Sequence, residues 1–351
     1  MDGVYLLIKV CKFVLFSETK IFDEATPQSS AIDIECVSRV STSGFEVTVV
    51  VAAYNVSLYV NRALYSAIAQ TMPDIEILVV DDASSDDTAD RIASLATADP
   101  RIRLIRRRQN GGPARARNEA LQSARGRWIA VLDADDFWAP TRLQRLLDAS
   151  AGCDLVFDNL MGFDLHADRI TGPIFPQLPP TGLTLEELLA PMAPGTTYDF
   201  GYLQPLMRTA FLREHDIAYV PELRANEDLV LSVMALMAGA RTATVPEPLY
   251  VYTTPVGKQS GRPSSASKTV PGVSPVCRVL ADLLEQNAGT LTASEQAAFK
   301  RRLDHIAAVG AVDLLRHAYL RRDYVRLIQI LATKPELRRY VWRRFRFRSA
   351  E

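Results

Sequence analysis

The sequence predicts an α/β fold built on a doubly wound parallel sheet, and three observations carry that expectation. Short apolar, β-branched runs alternate with amphipathic helical segments from Glu46 to about residue 158. The runs are continuous rather than alternating, as in strands buried on both faces. Acidic and polar residues follow the runs, and open parallel sheets bind ligands at the carboxyl ends of their strands.

The elements follow in order. Val47 to Ala52 is the first strand, and Leu64, Ala67 and Ile68 repeat as the inner face of a helix. Ile75 to Val80 is the second strand, ending in Asp81-Asp82. Ser84 or Ser85 is expected to cap the next helix, with Ile92, Leu95 and Ala96 inward. Ile102 to Ile105 is a third strand. Asn110-Gly111-Gly112-Pro113 breaks the chain and opens a helix with Pro113 in its first turn, Ala120, Leu121 and Ala124 on its apolar stripe and Gly126 at its end. Trp128 to Leu132 is a fourth strand running into Asp133-Ala134-Asp135-Asp136. Pro140 is expected to start a helix with Leu143, Leu146 and Leu147 inward, and Leu155 to Phe157 is a fifth strand.

The remainder is less periodic. Leu160 to Thr197 is richer in Pro and Gly, which suits a substrate-facing segment. Strands are expected within Tyr198 to Ala210 and Arg241 to Val251, around a helix from Glu227 to Ala238, and Thr253 to Pro275 reads as a mobile loop. From Cys277 the pattern is helical. The expected organisation is a poorly specified leader (1–44), a main domain (45–275, divided at 158/159 into two halves) and a basic helical region (276–351).

The 351 residues carry 40 Lys+Arg against 41 Asp+Glu, a net charge of −1, with 48% hydrophobic residues. That composition suits a globular protein and argues against a coiled coil, a collagen or a dedicated nucleic-acid binder. The balance conceals a split. Residues 278–351 hold 15 Lys+Arg and 8 Asp+Glu, net +7, which leaves −8 for the rest. Cys11, Cys36, Cys153 and Cys277 form no CxxC pair, so neither a zinc site nor a disulfide framework is indicated, and a reducing cytosol fits them. The apolar stretch Val4 to Phe16 is interrupted by Lys9 and Lys12 and is too short to span a bilayer.

Several carboxylates at two strand ends repel one another unless a cation is shared. Hard oxygen donors suit Mg²⁺ or Mn²⁺, which also take the phosphate oxygens of a substrate. Asp133-Ala134-Asp135 is therefore a candidate metal site for a nucleotide diphosphate. A D-x-D triplet occurs by chance in many loops, and its place at a strand end, with Asp82 at another, gives it weight.

VVVAAYN, ILVVDDASSDDT, NGGPARARNEAL and WIAVLDADDFW, in that order and spacing, resemble the family 2 glycosyltransferases of the GT-A fold. The likeness runs from Glu46 to Ser150 and extends to about Pro271. It implies a mixed sheet with helices on both faces, a nucleotide-activated sugar donor, inversion at the anomeric centre, and a divalent cation, Mn²⁺ or Mg²⁺. By the same resemblance Ala52 and Tyr54 would line the nucleotide pocket with Tyr54 near a uracil, and Asp82 would accept from the uracil N–H. Asp133 would hold the ribose or assist the metal, and Asp135 would coordinate it, with Asp136 a weaker candidate. The competing reading makes Tyr54 a core side chain and Asp81 and Asp86 helix-capping groups.

Asn226-Glu227-Asp228 before an apolar helix reads on its own as an ordinary N-terminal charge pair. In the glycosyltransferase context Asp228 is the expected base for the acceptor hydroxyl, with Glu227 in support. Lys258 and Arg262 could close over the donor phosphates. Gln259 and Arg262 have the Q-x-x-R spacing of processive relatives, but Pro263 replaces the Trp that would follow, so addition of a single sugar is expected. The segments around 199–219 and 226–252 resemble the glucosyltransferases of succinoglycan-type exopolysaccharides. That resemblance implies a lipid-linked oligosaccharide acceptor at the inner face of the cytoplasmic membrane; the donor expected beside it is a UDP-sugar, UDP-glucose, an identity that the resemblance does not itself give. Arg321, Arg322, Arg326, Arg338, Arg339, Arg343, Arg344, Arg346 and Arg348 lie among Tyr340, Trp342, Phe345 and Phe347, a mixture suited to an anionic membrane surface. The expected protein is cytoplasmic and peripheral, with no nucleic-acid partner, and a homodimer is compatible with the pattern. The alternative is a catalytically silent scaffold of the same fold within a polysaccharide assembly complex.

Overall fold

A computed structural model describes residues 44–191, 198–254 and 275–320, together with 323, 325, 329 and 332. The parallel part of the sheet is β1 (Val47–Ala53), β2 (Ile75–Asp81), β3 (Ile102–Arg106) and β4 (Trp128–Val131). Helices α1 (Val60–Ile68), α2 (Thr88–Ala98) and α3 (Pro113–Ser123) make the crossovers. In β1, Val47 pairs with Ile75 of β2 on one side and Trp128 of β4 on the other. Successive residues of β1, β2 and β4 are buried, so both faces of this sheet are covered.

The second half extends the sheet with mixed polarity. It contains β5 (Phe137–Trp138), α4 (Arg142–Asp148), β6 (Leu155–Asp164), β7 (Arg169–Pro173) and α5 (Leu185–Leu189). A 3₁₀ turn (Phe200–Tyr202), β8 (Leu206–Arg208), α6 (Thr209–Glu214), α7 (Glu227–Met237) and β9 (Thr242–Thr254) follow. Among the described residues the strand order is β3-β2-β1-β4-β8-β6-β9-β5, with β7 on β6. β8 runs antiparallel to β4 and β6, and β6 is parallel to β9.

Several local expectations differ from the structure. Ser84 and Ser85 do not cap α2, which begins at Thr88. Ser84 Oγ accepts from Asn55 N–H, and Asp86 takes the capping role through Thr88 N–H at 3.0 Å. Helix α3 ends at Ser123, so Gly126 is not its cap. A Cβ on Gly126 would lie 2.4 Å from the Thr48 backbone nitrogen, and close strand approach explains the glycine. Helix α4 starts at Arg142, two residues beyond Pro140.

C-terminal α8 (Pro275–Gln286) and α9 (Ala293–Leu320) are helical, as the pattern predicts. Val276, Leu280, Ala298 and Phe299 share one buried cluster with Leu185, Leu188 and Leu189 of α5 and Leu229, Val230 and Val233 of α7. The expected boundary at 275/276 therefore runs through a single core. Arg302 of α9 reaches back to Asp199 at 2.7 Å, a buried ion pair. Residues 1–43, residues 255–274 with Lys258 and Arg262, and the arginines and aromatics of the basic tail lie outside the described residues.

Candidate active site

Three strand ends and one helix start build the site. After β4, the Asp136 N–H donates to the Asp133 carbonyl at 3.0 Å, closing the four acidic-rich residues 133–136 into a turn. The Tyr250 hydroxyl of β9 accepts from Asp133 N–H at 3.1 Å. Asp136 turns inward: it is buried and accepts from Thr253 N–H at 2.7 Å, so it fastens the turn to β9. Arg62 of α1 donates to the Asp135 carbonyl at 2.6 Å and to Thr253 Oγ1 at 2.8 Å, with its guanidinium over the Phe137 ring.

The two candidate ligands differ in what holds them. Asp133 Oδ1 accepts from Arg117 at 2.5 Å. Asp135 makes no ion pair among the described residues. Burial, then the neighbouring Asp133 charge, pushes the Asp135 carboxyl up to about 6. Burial raises Asp133 as well, against the pull of Arg117. Among the described residues no group of three or more His, Cys, Asp or Glu is arranged to hold an ion. Two hard carboxylates in an acid-rich buried turn nevertheless fit a Mg²⁺ or Mn²⁺ ion that takes its other ligands from substrate phosphates and water.

Asp228 lies in the first turn of α7, behind Asn226, whose left-handed φ of 61° turns the chain into the helix. Tyr219 donates to Asp228 Oδ1 at 3.1 Å and Gln204 to Oδ2 at 2.9 Å. Arg117 completes the arrangement. Only 4% exposed, it donates to Glu227 at 2.8 Å, to Asp228 at 3.2 and 3.3 Å, and to Asp133. One guanidinium thus joins the two halves of the protein. Burial alone would lower its affinity for the proton, but Asp228 and Asp133 hold it well above the ordinary arginine range. Burial also raises Glu227, against Arg117. Arg117 has a signal in the sequence: Ala114, Arg117, Leu121 and Ala124 are spaced three or four apart, which places an arginine on the inner stripe of α3.

The residues expected to line a nucleotide pocket are held differently. Tyr54 is 45% exposed, so it is not a core side chain. Ala52 is half-buried one strand position before Ala53. Asp82 is buried and fully engaged: Gly111 N–H (2.9 Å) and Gly112 N–H (2.7 Å) donate to its two oxygens, and Arg107 pairs with it. Gly112 has φ +89°, which lets consecutive N–H groups converge on one carboxylate. The Asn-Gly-Gly-Pro motif is therefore a cradle for Asp82.

Residues 48–209 match the family model for Glycosyl transferase family 2. Over these residues the chain is similar to the family 2 glycosyltransferases. The succinoglycan biosynthesis protein ExoO of Rhizobium meliloti is 38% identical over 215 residues, which cover 59% of this chain and 60% of that protein. The UDP-Glc:alpha-D-GlcNAc-diphosphoundecaprenol beta-1,3-glucosyltransferase WfaP of Escherichia coli is 35% identical over 133 residues, 38% of this chain and 52% of that protein. The match thus spans little more than half the length of these relatives. The crystal structure of S. aureus TarS 1-349 in complex with UDP-GlcNAc superposes with a TM-score of 0.56 at 20% identity, over 83% of this chain and 92% of that one. That likeness shows the GT-A fold.

Proposed function

We propose that this protein is an inverting, metal-dependent glycosyltransferase that adds a single glucose from UDP-glucose to a lipid-linked oligosaccharide during bacterial exopolysaccharide assembly. The observation that carries the reading is the joint hold of one buried arginine on Asp133, beside the candidate metal ligand Asp135, and on Asp228, the candidate base. The names of ExoO and WfaP support the pathway class and the donor.

The acceptor hydroxyl oxygen attacks the donor C1 and gives its proton to Asp228. The C1–oxygen bond to the diphosphate breaks, its electron pair leaves on UDP, and a single displacement inverts the centre. Asp135 and Asp133 would hold a Mn²⁺ or Mg²⁺ ion, which would supply positive charge to the departing diphosphate. Gln204 and Tyr219 fix the two oxygens of Asp228, and Arg117 fixes its spacing from Asp133. Asp228→Asn should lower turnover by about 10²–10⁴ while UDP binding persists, and Asp135→Ala should lose Mn²⁺-dependent UDP binding in calorimetry. Wild-type turnover in Asp228→Asn would end this assignment.

The site of action in this reading is the inner face of the cytoplasmic membrane, reached through the basic, aromatic tail. No helix among the described residues is long and apolar enough to cross a membrane. Truncation before Tyr319 should abolish salt-sensitive flotation with anionic vesicles, and unchanged flotation would refute the tail's role.

A further inference from the structure

We propose that Tyr198, Tyr202 and Tyr252 form the platform that receives the terminal pyranose ring of the acceptor. This deepens the transferase reading and rests on it. The three rings meet edge to face: 5.1 Å between Tyr198 and Tyr202, 5.6 Å between Tyr198 and Tyr252, and 5.8 Å between Tyr202 and Tyr252. They come from two segments, the 3₁₀-turn region for Tyr198 and Tyr202 and β9 for Tyr252, and close on one another, yet Tyr202 remains 37% exposed.

The position of the cluster decides its use. Tyr252 directly precedes Thr253, whose N–H holds Asp136 and whose hydroxyl holds Arg62 beside Asp135. Tyr202 stands two residues before Gln204, whose amide holds Asp228. The tyrosines therefore connect the side of the site suited to the diphosphate with the side that carries the base. A donor sugar is tethered to its diphosphate, so the ring that must be brought to Asp228 is the acceptor's. The electron-rich face of a tyrosine attracts the weakly positive C–H groups on one face of a pyranose and leaves the sugar hydroxyls free. In edge-to-face packing the edge of one ring covers a face of the next, and Tyr202, the exposed ring of the three, keeps surface for a sugar.

The platform is held in advance of binding. Asp199 Oδ1 accepts from Gly201 N–H at 3.0 Å, fixing the turn that bears Tyr202, and Asp199 Oδ2 is anchored by Arg302. A Cβ on Gly201 would meet Leu229 of α7 at 3.1 Å, so this turn lies directly against the helix that carries Asp228. Preorganisation of this kind spares ordering cost on binding.

The test is saturation-transfer NMR of the full chain with cellobiose, and separately with octyl phosphate, both with UDP and Mn²⁺ present. Cellobiose should contact the protein through its ring C–H protons. Tyr202→Ala should weaken cellobiose about tenfold, and Tyr202→Phe and Tyr202→Trp, which keep the ring and control for folding, should retain it. UDP affinity measured by calorimetry should be the same in all variants. Wild-type cellobiose affinity in Tyr202→Ala, no cellobiose contact in the wild type, or contact with the octyl chain alone would overturn the proposal. UDP binding without cellobiose binding refutes the platform alone, whereas cellobiose binding without UDP binding refutes the transferase reading alone.

Discussion

Two buried arginines occupy this fold in opposite ways. Arg142, fully buried, meets a single charged partner: its Nε and Nη2 donate to the two oxygens of Asp158 at 2.9 and 2.7 Å, and Nη2 also donates to the Gln204 carbonyl at 2.5 Å. Its plane lies 4.5 Å from the centre of the Trp138 ring and 5.0 Å from that of Tyr250. One charge meets one charge, beside two aromatic rings. Arg117 is almost as buried but serves Asp133, Glu227 and Asp228 together. The first arrangement is electrically complete and joins α4 to β6. The second is short of positive charge, and Asp135 and Asp136 deepen the deficit. A buried surplus of one sign is costly unless a ligand completes it. The contrast separates an ion pair that holds the fold from a cluster in which carboxylates outnumber the guanidinium they share.

The comparison can be broken experimentally, and the largest effect belongs to Arg142. Arg142→Met strands Asp158 without a partner and should cost about 3–5 kcal/mol of stability, measured by urea unfolding. The double variant Arg142→Met/Asp158→Leu should recover much of that loss. Arg117→Lys keeps the charge but cannot span three carboxylates, so kcat should fall about 10–100-fold with a smaller change in melting temperature than Arg142→Met. Equal thermal losses in the two variants would erase the distinction.

The smallest effect concerns pH. Folding raises the Asp135 carboxyl to about 6 from an ordinary value of 3.8, so the protonated form is the one that folding favours. The stability contributed by this group is fully present below about pH 4 and is lost as pH rises through about 6. Asp133, Asp136 and Glu227 shift in the same direction, each mainly through burial. Metal-free protein should therefore lose melting temperature from pH 4 to pH 7, and Mn²⁺ should stabilise it more at pH 7 than at pH 5. Scanning fluorimetry with a chelator control checks both signs.

The same contrast explains what could be read from the chain. β1, β2 and β4 were legible because both-face burial leaves an uninterrupted apolar run, and the acidic residues at their ends stand out against it. β5 is two residues long and pairs with β9, more than a hundred positions away, so no local period marks it. β8, of three residues between a 3₁₀ turn and a helix, falls inside the 198–210 stretch expected to hold a strand, but no period marks its bounds. Arg117 sat on a readable helical stripe. The pairing of Arg142 with Asp158 did not, because it depends on how α4 and β6 meet. The charge excess of the last 74 residues drew attention to an anionic partner and away from Val276, Leu280, Ala298 and Phe299, which turn inward at helical spacing.

The grip of Arg302 on Asp199 has a practical consequence for any attempt to trim the protein. A chain cut after Thr254 would retain every carboxylate of the site and every strand of the sheet described here. It would also leave Asp199 in a lined cavity with its counter-charge gone, and would strip α5 and α7 of the apolar cover that α8 and α9 provide. The turn bearing Tyr202 and the helix bearing Asp228 would lose support together. The minimal working unit therefore extends through Arg302, well past the last residue of the sheet.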